Sequence, residues 1–290
     1  MAAFVLNSET TYHARSISLP SRPHPLTVKV EEQLNRLRSS EGSSTSSIEH
    51  SLAGLKDLHD CVDDLVQLPL TQQVLAREKS DKCVNEVFDG SLRMLEVCSI
   101  TRDVLLQTKE CVQDLQSALR RKRGEELGID NEVASLYMTS RKQVNRTIQR
   151  CFVDLKKTES KRVFSALFEK DHNVVAIVGM LREVESMSLS LLESLLSSLL
   201  GSRPRSKSNG WCVVSKLMNA KRNAAHCDME KVDHVFSGLI SRKSCNLQST
   251  YVQKQLQTLE LSISGLEASL ECVYKSLIKT RVSLLNILSQ

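Results

Sequence analysis

Residues 252–287 read VQKQLQTLELSISGLEASLECVYKSLIKTRVSLLNI, and their apolar side chains recur at alternating steps of four and three residues. After Thr280 the same register resumes. The positions are Val252, Leu256, Leu259, Ile263, Leu266, Leu270, Val273, Leu277, Leu284 and Ile287. This pattern is a heptad seam, and it predicts one helix of roughly five heptads, about 60 Å long. We expect the seam to pack inside the chain; the alternative is a seam that binds a partner helix or a second copy.

Helical spacing of apolar residues also occurs through most of the preceding chain. It predicts helices after residue 26, over 52–65, 81–123, from about 130, over 173–200 and around 213–240. Aromatic residues make up only 4% of the chain, and ten glycines and five prolines leave few helix breakers. No alternating strand pattern of any length is present. The predicted fold is therefore all-α, an elongated helical bundle with long antiparallel helices.

Three local features refine this prediction. The second helix is expected to stop at Pro69, with Thr71 as the cap of a short continuation. Asp89-Gly90-Ser91 is a candidate kink in the helix predicted over 81–123. The 173–200 segment is apolar over an unusually wide arc, so we expect it to lie centrally and to contact several neighbours.

The domain organisation follows from composition. Residues 1–25 are rich in serine and proline and are predicted to be a disordered tail. Residues 26–290 form the predicted helical bundle domain. Interior linkers are expected near 39–47, which is serine-rich, and at 201–210, which reads GSRPRSKSNG.

Composition also indicates in which cellular compartment the protein resides. The nine cysteines are an odd number without a CxxC pair, and most fall in apolar helical patterns, which is typical of a reducing environment. The N-terminus lacks the apolar core of a secretory signal, and no run approaches the ~18 apolar residues of a membrane span. We expect an intracellular protein, most simply cytoplasmic, with the nucleus and the plastid left open.

Several stretches carry a family resemblance. They are SLPSRPHP at 18–25, GLKDLHDCVDDLVQLPLTQQ at 54–73, SALRRKRG at 117–124, SRKQV at 140–144 and SLIKTRVSLLNILSQ at 276–290. Together they resemble a plant-specific family of helical proteins often grouped with BYPASS-type proteins, over nearly the whole chain. The resemblance implies a plant protein with a family-level association with root and shoot development. It implies no enzymatic activity and carries over no catalytic residue.

The sequence contains no motif that indicates catalysis or a cofactor. Phosphate-binding glycine loops, GxSxG, HExxH and EF-hand loops are all missing. The nearest approach to a metal site is His226, Glu230 and His234, whose i, i+4, i+8 spacing places them along one loose helix face. A solvated polar face explains the same pattern, so we predict no metal, no cofactor and no enzyme.

Basic residues at two places suggest other partners. Arg120, Arg121, Lys122 and Arg123 form a patch that either caps a helix end or contacts a partner. No aromatic residues are interleaved with it for base stacking, and the net charge is only +5, which argues against nucleic acid. If the cations of the 201–210 linker join others on folding, an anionic membrane surface is a credible partner.

The tail holds a possible regulatory site. Arg15, Ser18 and Pro20 belong to an R-S-x-S-x-P pattern, which phosphopeptide-binding 14-3-3 proteins favour. Phosphate on Ser18 would add nearly two negative charges that an arginine-lined groove can bind. An inert leader is the alternative.

The sequence predicts a non-enzymatic interaction or scaffold protein with protein partners. A peripheral membrane adaptor that uses the basic linker and an apolar helix is the first alternative. An enzyme whose site is dispersed over several helices is the second, although the ExxH motif, which bundle-core metal sites supply from two helices, occurs only once, at Glu169 and His172.

Overall fold

The chain is almost entirely α-helical in the part that the structure describes. The computed structural model describes residues 24–41, 48–78, 81–121, 131–160, 172–200, 224–240 and 249–289. No strand occurs in these residues, and the all-α prediction is confirmed. The helices are α1 (Pro25–Glu41), α2 (Ile48–Val66), α3 (Pro69–Arg77), α4 (Lys82–Arg121), α5 (Asn131–Ser160), α6 (His172–Leu200), α7 (Ala224–Ile240) and α8 (Ser249–Leu288). None of them is long and apolar enough to cross a membrane.

Helix α8 carries the heptad seam, and the seam is buried within the chain. Each of its ten apolar positions is at most 3% exposed, and α8 packs mainly on α2 and α4. Thr280 fills the position where the apolar pattern is interrupted. Its hydroxyl donates to the carbonyl oxygens of His59 at 3.3 Å and Ser276 at 3.1 Å. The expectation of packing inside the chain is confirmed.

Polar contacts beside the seam show in which direction the neighbouring helices run. Gln113 of α4 donates to Glu260 at 2.8 Å, whereas Arg281 donates to Ser91 at 2.6 Å, thus α4 and α8 are antiparallel as predicted. Each of these 40-residue helices is about 60 Å long. The bundle is therefore elongated along these two helices.

Helix α2 lies on the other side of α8 and runs parallel to it. Ser276 donates to Asp60 at 2.6 Å, and Ser283 donates to Asp63 at the same distance. Asp63 is fully buried and also accepts from Gln67 at 2.6 Å. The carboxylate of Asp63, which this packing buries, is thus satisfied by a hydroxyl and an amide donor.

Helix α6 is the central helix that its wide apolar arc predicts. It packs against α1 to α5 and α7. Its fully buried side chains include Leu192, Leu195 and Leu196. A helix that contacts neighbours on most sides needs apolar residues around most of its circumference, which explains the sequence pattern.

Two local expectations need correction. Thr71 is not a cap: it lies inside α3 and is buried, whereas Leu68 occupies the cap position without a side-chain hydrogen bond and Pro69 is the first helical residue. Helix α1 also extends to Glu41, so the predicted linker near 39–47 begins later. The hydroxyl of Ser40 donates to the Leu37 carbonyl at 2.8 Å, which lets serine remain in the last turn.

Gly90 marks a close approach between helices. Helix α4 continues unbroken through Asp89-Gly90-Ser91. A Cβ at Gly90 would lie 2.6 Å from the Glu185 carboxyl carbon of α6. Glycine therefore serves packing here and does not interrupt the helix.

Two predicted segments fall almost wholly outside the described residues. They are the tail at 1–25, of which His24 and Pro25 are described, and the linker at 201–210. The helix predicted around 213–240 is described from Ala224 onward as α7.

Candidate interaction site

A groove between α4 and α5 forms a recess with an apolar floor on the described surface. It has a volume of about 480 Å³. The floor is formed by Val97 and Ile100 of α4 and by Cys151 and Leu155 of α5. Recesses of 300–1,000 Å³ with apolar linings are typical of sites that bind ligands or inserted side chains.

Charged and hydroxyl side chains form the rim of this groove. The α4 wall carries Arg93, Glu96 and Ser99, and the α5 wall carries Thr147, Arg150, Asp154 and Thr158. Both threonine hydroxyls donate to carbonyl oxygens of their own helix. The groups at the rim that remain for an external ligand are therefore mainly the charged ones.

The outward face of α5 carries a row of cations, which reaches the groove at Arg150. Lys142, Arg146 and Arg150 are exposed and lie one helical turn apart. None of the three has a hydrogen-bond or ion-pair partner within the described part of the chain. A shallower recess of about 360 Å³ joins Arg146 and Arg150 to Val153, which is 51% exposed.

A buried ion pair fixes α5 against α6 and α7. The guanidinium of Arg141 donates from Nε and Nη2 to the two carboxylate oxygens of Asp233, each at 3.0 Å, and from Nη1 to the Leu199 carbonyl at 2.7 Å. Tyr137 donates to Asp233 at 2.6 Å, and its ring stacks on Phe236 at 4.5 Å. Such bidentate, charge-assisted bonds hold one geometry, so they set the position of the α5 wall.

The electrostatics of this network keep Arg141 charged and Tyr137 neutral. Burial lowers the pKa of Arg141, but the hydrogen bonds and the charge of Asp233 outweigh burial and raise it. Burial and then the charge of Asp233 raise the pKa of Tyr137 above its usual value. The tyrosine therefore stays protonated and remains a donor to the carboxylate.

A second ion pair fixes the α4 wall. Arg93 donates to Glu185 of α6, whose side chain is only 3% exposed. Nearby, Arg182 of α6 pairs with Glu86 of α4 at 2.5 Å. Because Arg93 is held by Glu185, it shapes the end of the groove and is not a free cation.

Two cysteines of the described residues differ from reactive thiols in their surroundings. Burial raises the pKa of the Cys151 thiol at the groove floor to about 11, so the thiol is protonated at neutral pH. His59 and Cys61 do not pair: His59 shares a hydrogen bond of 2.9 Å with Ser188, and burial lowers its pKa to about 4. The six cysteines whose side chains are described are free.

The three residues considered for a metal site fall on α7. Glu230 is half-buried, His234 is exposed, and the side chain of His226 lies outside the described part. Within the described residues no group of three histidine, cysteine or acidic side chains is arranged to hold a metal ion. Asp233, beside this set, is instead committed to Arg141.

The other predicted sites are described in part or lie outside the structure. Arg120 and Arg121 occupy the last turn of α4, and Arg120 donates to Gln116 at 3.1 Å; the choice between a capping role and a partner contact stays a prediction. Lys122 and Arg123 are outside the described residues. Arg15, Ser18 and Pro20 are outside them as well, and their phosphorylation-dependent binding stays a prediction.

Sequence reasoning did not identify the groove or its cations. The floor joins residues about 50 positions apart, and no local pattern reports that pairing. The i, i+4, i+8 spacing of Lys142, Arg146 and Arg150 was available, but it is also typical of a solvated helix face. Arg141 resembles its neighbours in sequence, although it is buried and they are exposed.

Comparison with known proteins places the chain in a family. The family model described as Protein BPS1 matches residues 51–287, which span α2 to nearly the end of α8 and include both walls of the groove. No curated protein and no solved structure matches the chain. With most of its length covered by this one model, the chain belongs to the BPS1 family.

Proposed function

We propose that the chain is a non-enzymatic interaction or scaffold protein of plant cells that binds a protein partner in the α4–α5 groove. The observation that carries this proposal is the groove itself, a recess of about 480 Å³ with an apolar floor at the surface of the bundle. Its walls are held by the Arg141–Asp233 and Arg93–Glu185 ion pairs. A preorganised recess loses little conformational entropy on binding, which favours a docking role.

The biological setting is part of the proposal. Resemblance to BYPASS-type proteins implies a role in root and shoot development, and we propose that the groove recruits a partner in that process. The partner would act inside the cell, since the nine cysteines suit a reducing compartment.

Proximity labelling in plant cells tests the proposal. Ile100→Trp fills the groove floor with a larger apolar side chain, and Leu106→Trp places the same side chain on the exposed face of α4, outside the groove. We expect a group of labelled proteins to be lost with Ile100→Trp and kept with Leu106→Trp. Identical labelled sets for both variants and the unmodified chain would refute the proposal.

A peripheral membrane adaptor is the second candidate, and a different surface favours it. Ile278, Val282 and Leu285 form an i, i+4, i+7 stripe on α8, and each is between 41% and 49% exposed. Lys275 and Lys279 border this stripe, as in helices that lie on anionic membranes. Flotation with phosphatidylserine vesicles tests it: binding that is lost in Ile278→Gln/Val282→Gln would support the adaptor, and no binding would exclude it.

A further inference from the structure

We propose that the occupant of the α4–α5 groove is an acidic amphipathic helix of a partner protein. This inference rests on the proposed function and deepens it by naming the chemistry of the partner. The partner helix would place apolar side chains on the groove floor and carboxylates against the cationic face of α5.

The first step is the charge pattern of α5. Lys142, Arg146 and Arg150 are exposed, unpaired within the described chain and separated by four residues each. The row spans about 12 Å along the helix. Carboxylates at i and i+4 on a helix lying alongside have the same repeat, so consecutive acidic side chains can meet consecutive cations.

The second step is the shape of the floor. Val97, Ile100 and Leu155 lie at the bottom of a recess, not on a raised surface. An occupant therefore needs protruding apolar side chains, which an amphipathic helix presents at i, i+3 or i+4, and i+7. A flat membrane surface cannot reach such a floor. A second copy of the chain could offer its own recess, which would leave the volume unfilled. It could also offer its α8 stripe, but Lys275 and Lys279 beside that stripe would then meet the cations of α5.

The third step concerns the acidic groups at the rim. Asp154 pairs with Lys157 at 3.2 Å, which reduces its repulsion of an incoming carboxylate. Glu96 is exposed on the opposite wall. The partner helix should therefore carry its acids on the side facing α5 and tolerate a cation on the side facing α4. This segregation of charge gives the partner one orientation across the groove.

An unbiased selection tests the inference with a defined probe. Displayed helix-favouring peptides of about 16 residues, randomised among Leu, Ala, Gln, Glu and Lys, are selected on the full chain. We expect the recovered peptides to share an apolar stripe flanked on one side by glutamates at i, i+4 spacing. Recovery of peptides without an acidic excess, or recovery of none, would overturn the inference.

Charge reversal then tests the contact with α5. Binding of a selected peptide should weaken at least about tenfold in Arg146→Glu/Arg150→Glu and change less than about twofold in Arg36→Glu/Lys254→Glu. The control pair makes the same charge change at exposed positions elsewhere. A peptide with its glutamates changed to lysine should prefer the Arg146→Glu/Arg150→Glu chain. Equal losses in the two double variants would overturn the inference.

The two proposals fail separately. If Ile100→Trp removes partners in cells but the selected peptides carry no acidic excess, the groove is an interaction site and the acidic helix is wrong. Loss of phosphatidylserine-vesicle binding in Arg146→Glu/Arg150→Glu, without any peptide binding, would also overturn the acidic helix and assign the cationic face to membranes.

Discussion

Replacing Gly90 by alanine should destabilise the bundle, although alanine normally stabilises a helix interior. The usual gain from this change is about 1 kcal/mol. At Gly90, however, the new Cβ would lie 2.6 Å from the carboxyl carbon of Glu185, whose residue is 2% exposed and paired with Arg93. The carboxylate has to move, and because Arg93 holds it, this movement weakens a buried ion pair.

The magnitude follows from these opposing effects. Overpacking a buried site costs about 1–3 kcal/mol, and weakening a buried ion pair adds to that cost. Taking a cost of about 3 kcal/mol against a gain of about 1 kcal/mol, the free energy of unfolding of Gly90→Ala should fall by about 2 kcal/mol.

Gly179→Ala is the matched control, since Gly179 also lies inside a helix but nothing lies within 4 Å of the position its Cβ would take. This variant should gain about 1 kcal/mol. Urea unfolding followed by circular dichroism measures both changes, with the slope of the transition as a check on two-state behaviour. Equal stabilisation of the two variants would refute the close approach of α4 and α6 at Gly90.

Three further predictions concern the buried polar groups and the seam. Leu266→Asp puts a charge where the side chain is 1% exposed, and we expect insolubility or the loss of several kcal/mol of stability in thermal melts; an unchanged melting curve would mean that the seam is not core. Asp233→Ala leaves the guanidinium of Arg141 buried without its carboxylate partner and should lower the free energy of unfolding in urea by about 3 kcal/mol. The double variant Arg141→Met/Asp233→Ala should recover a large part of this loss, because it also removes the buried charge. No recovery would count against the ion pair as the cause. Burial lowers the pKa of His59 from 6.5 to about 4, so the neutral ring contributes its full stability above pH 6.5. As the pH falls to about 4, the free energy of unfolding should decrease by about 3 kcal/mol, and this decrease should be absent from His59→Gln. Parallel pH profiles for the two chains would contradict this prediction.

The sequence was a good guide to the core because helical packing repeats locally. Every apolar position of the α8 seam is buried, and the wide apolar arc of α6 corresponds to contacts on most of its sides. Both patterns follow from spacing within one helix, which is directly readable. Thr280 shows the limit of such reading: its burial depends on the His59 carbonyl of α2, which lies 221 positions away in sequence.

The candidate site could not be read in the same way. Its floor brings together Val97 of α4 and Cys151 of α5, and its walls depend on ion pairs between helices distant in the sequence. Gly90 illustrates the same difficulty. In sequence a glycine beside aspartate and serine indicates a weak point in a helix, whereas its role depends on Glu185 in another helix. Long-range pairing leaves no periodic signal in a single sequence.

Hydrogen–deuterium exchange of the full chain with and without its partner tests the central claim most directly. The partner would be the protein most depleted by Ile100→Trp in proximity labelling. Binding in the groove predicts slower amide exchange in peptides covering residues 93–100 and 147–158, with no change in peptides covering 275–288 at the exposed stripe of α8. Slower exchange confined to 275–288, with the groove peptides unchanged, would contradict the account and place the interaction on α8.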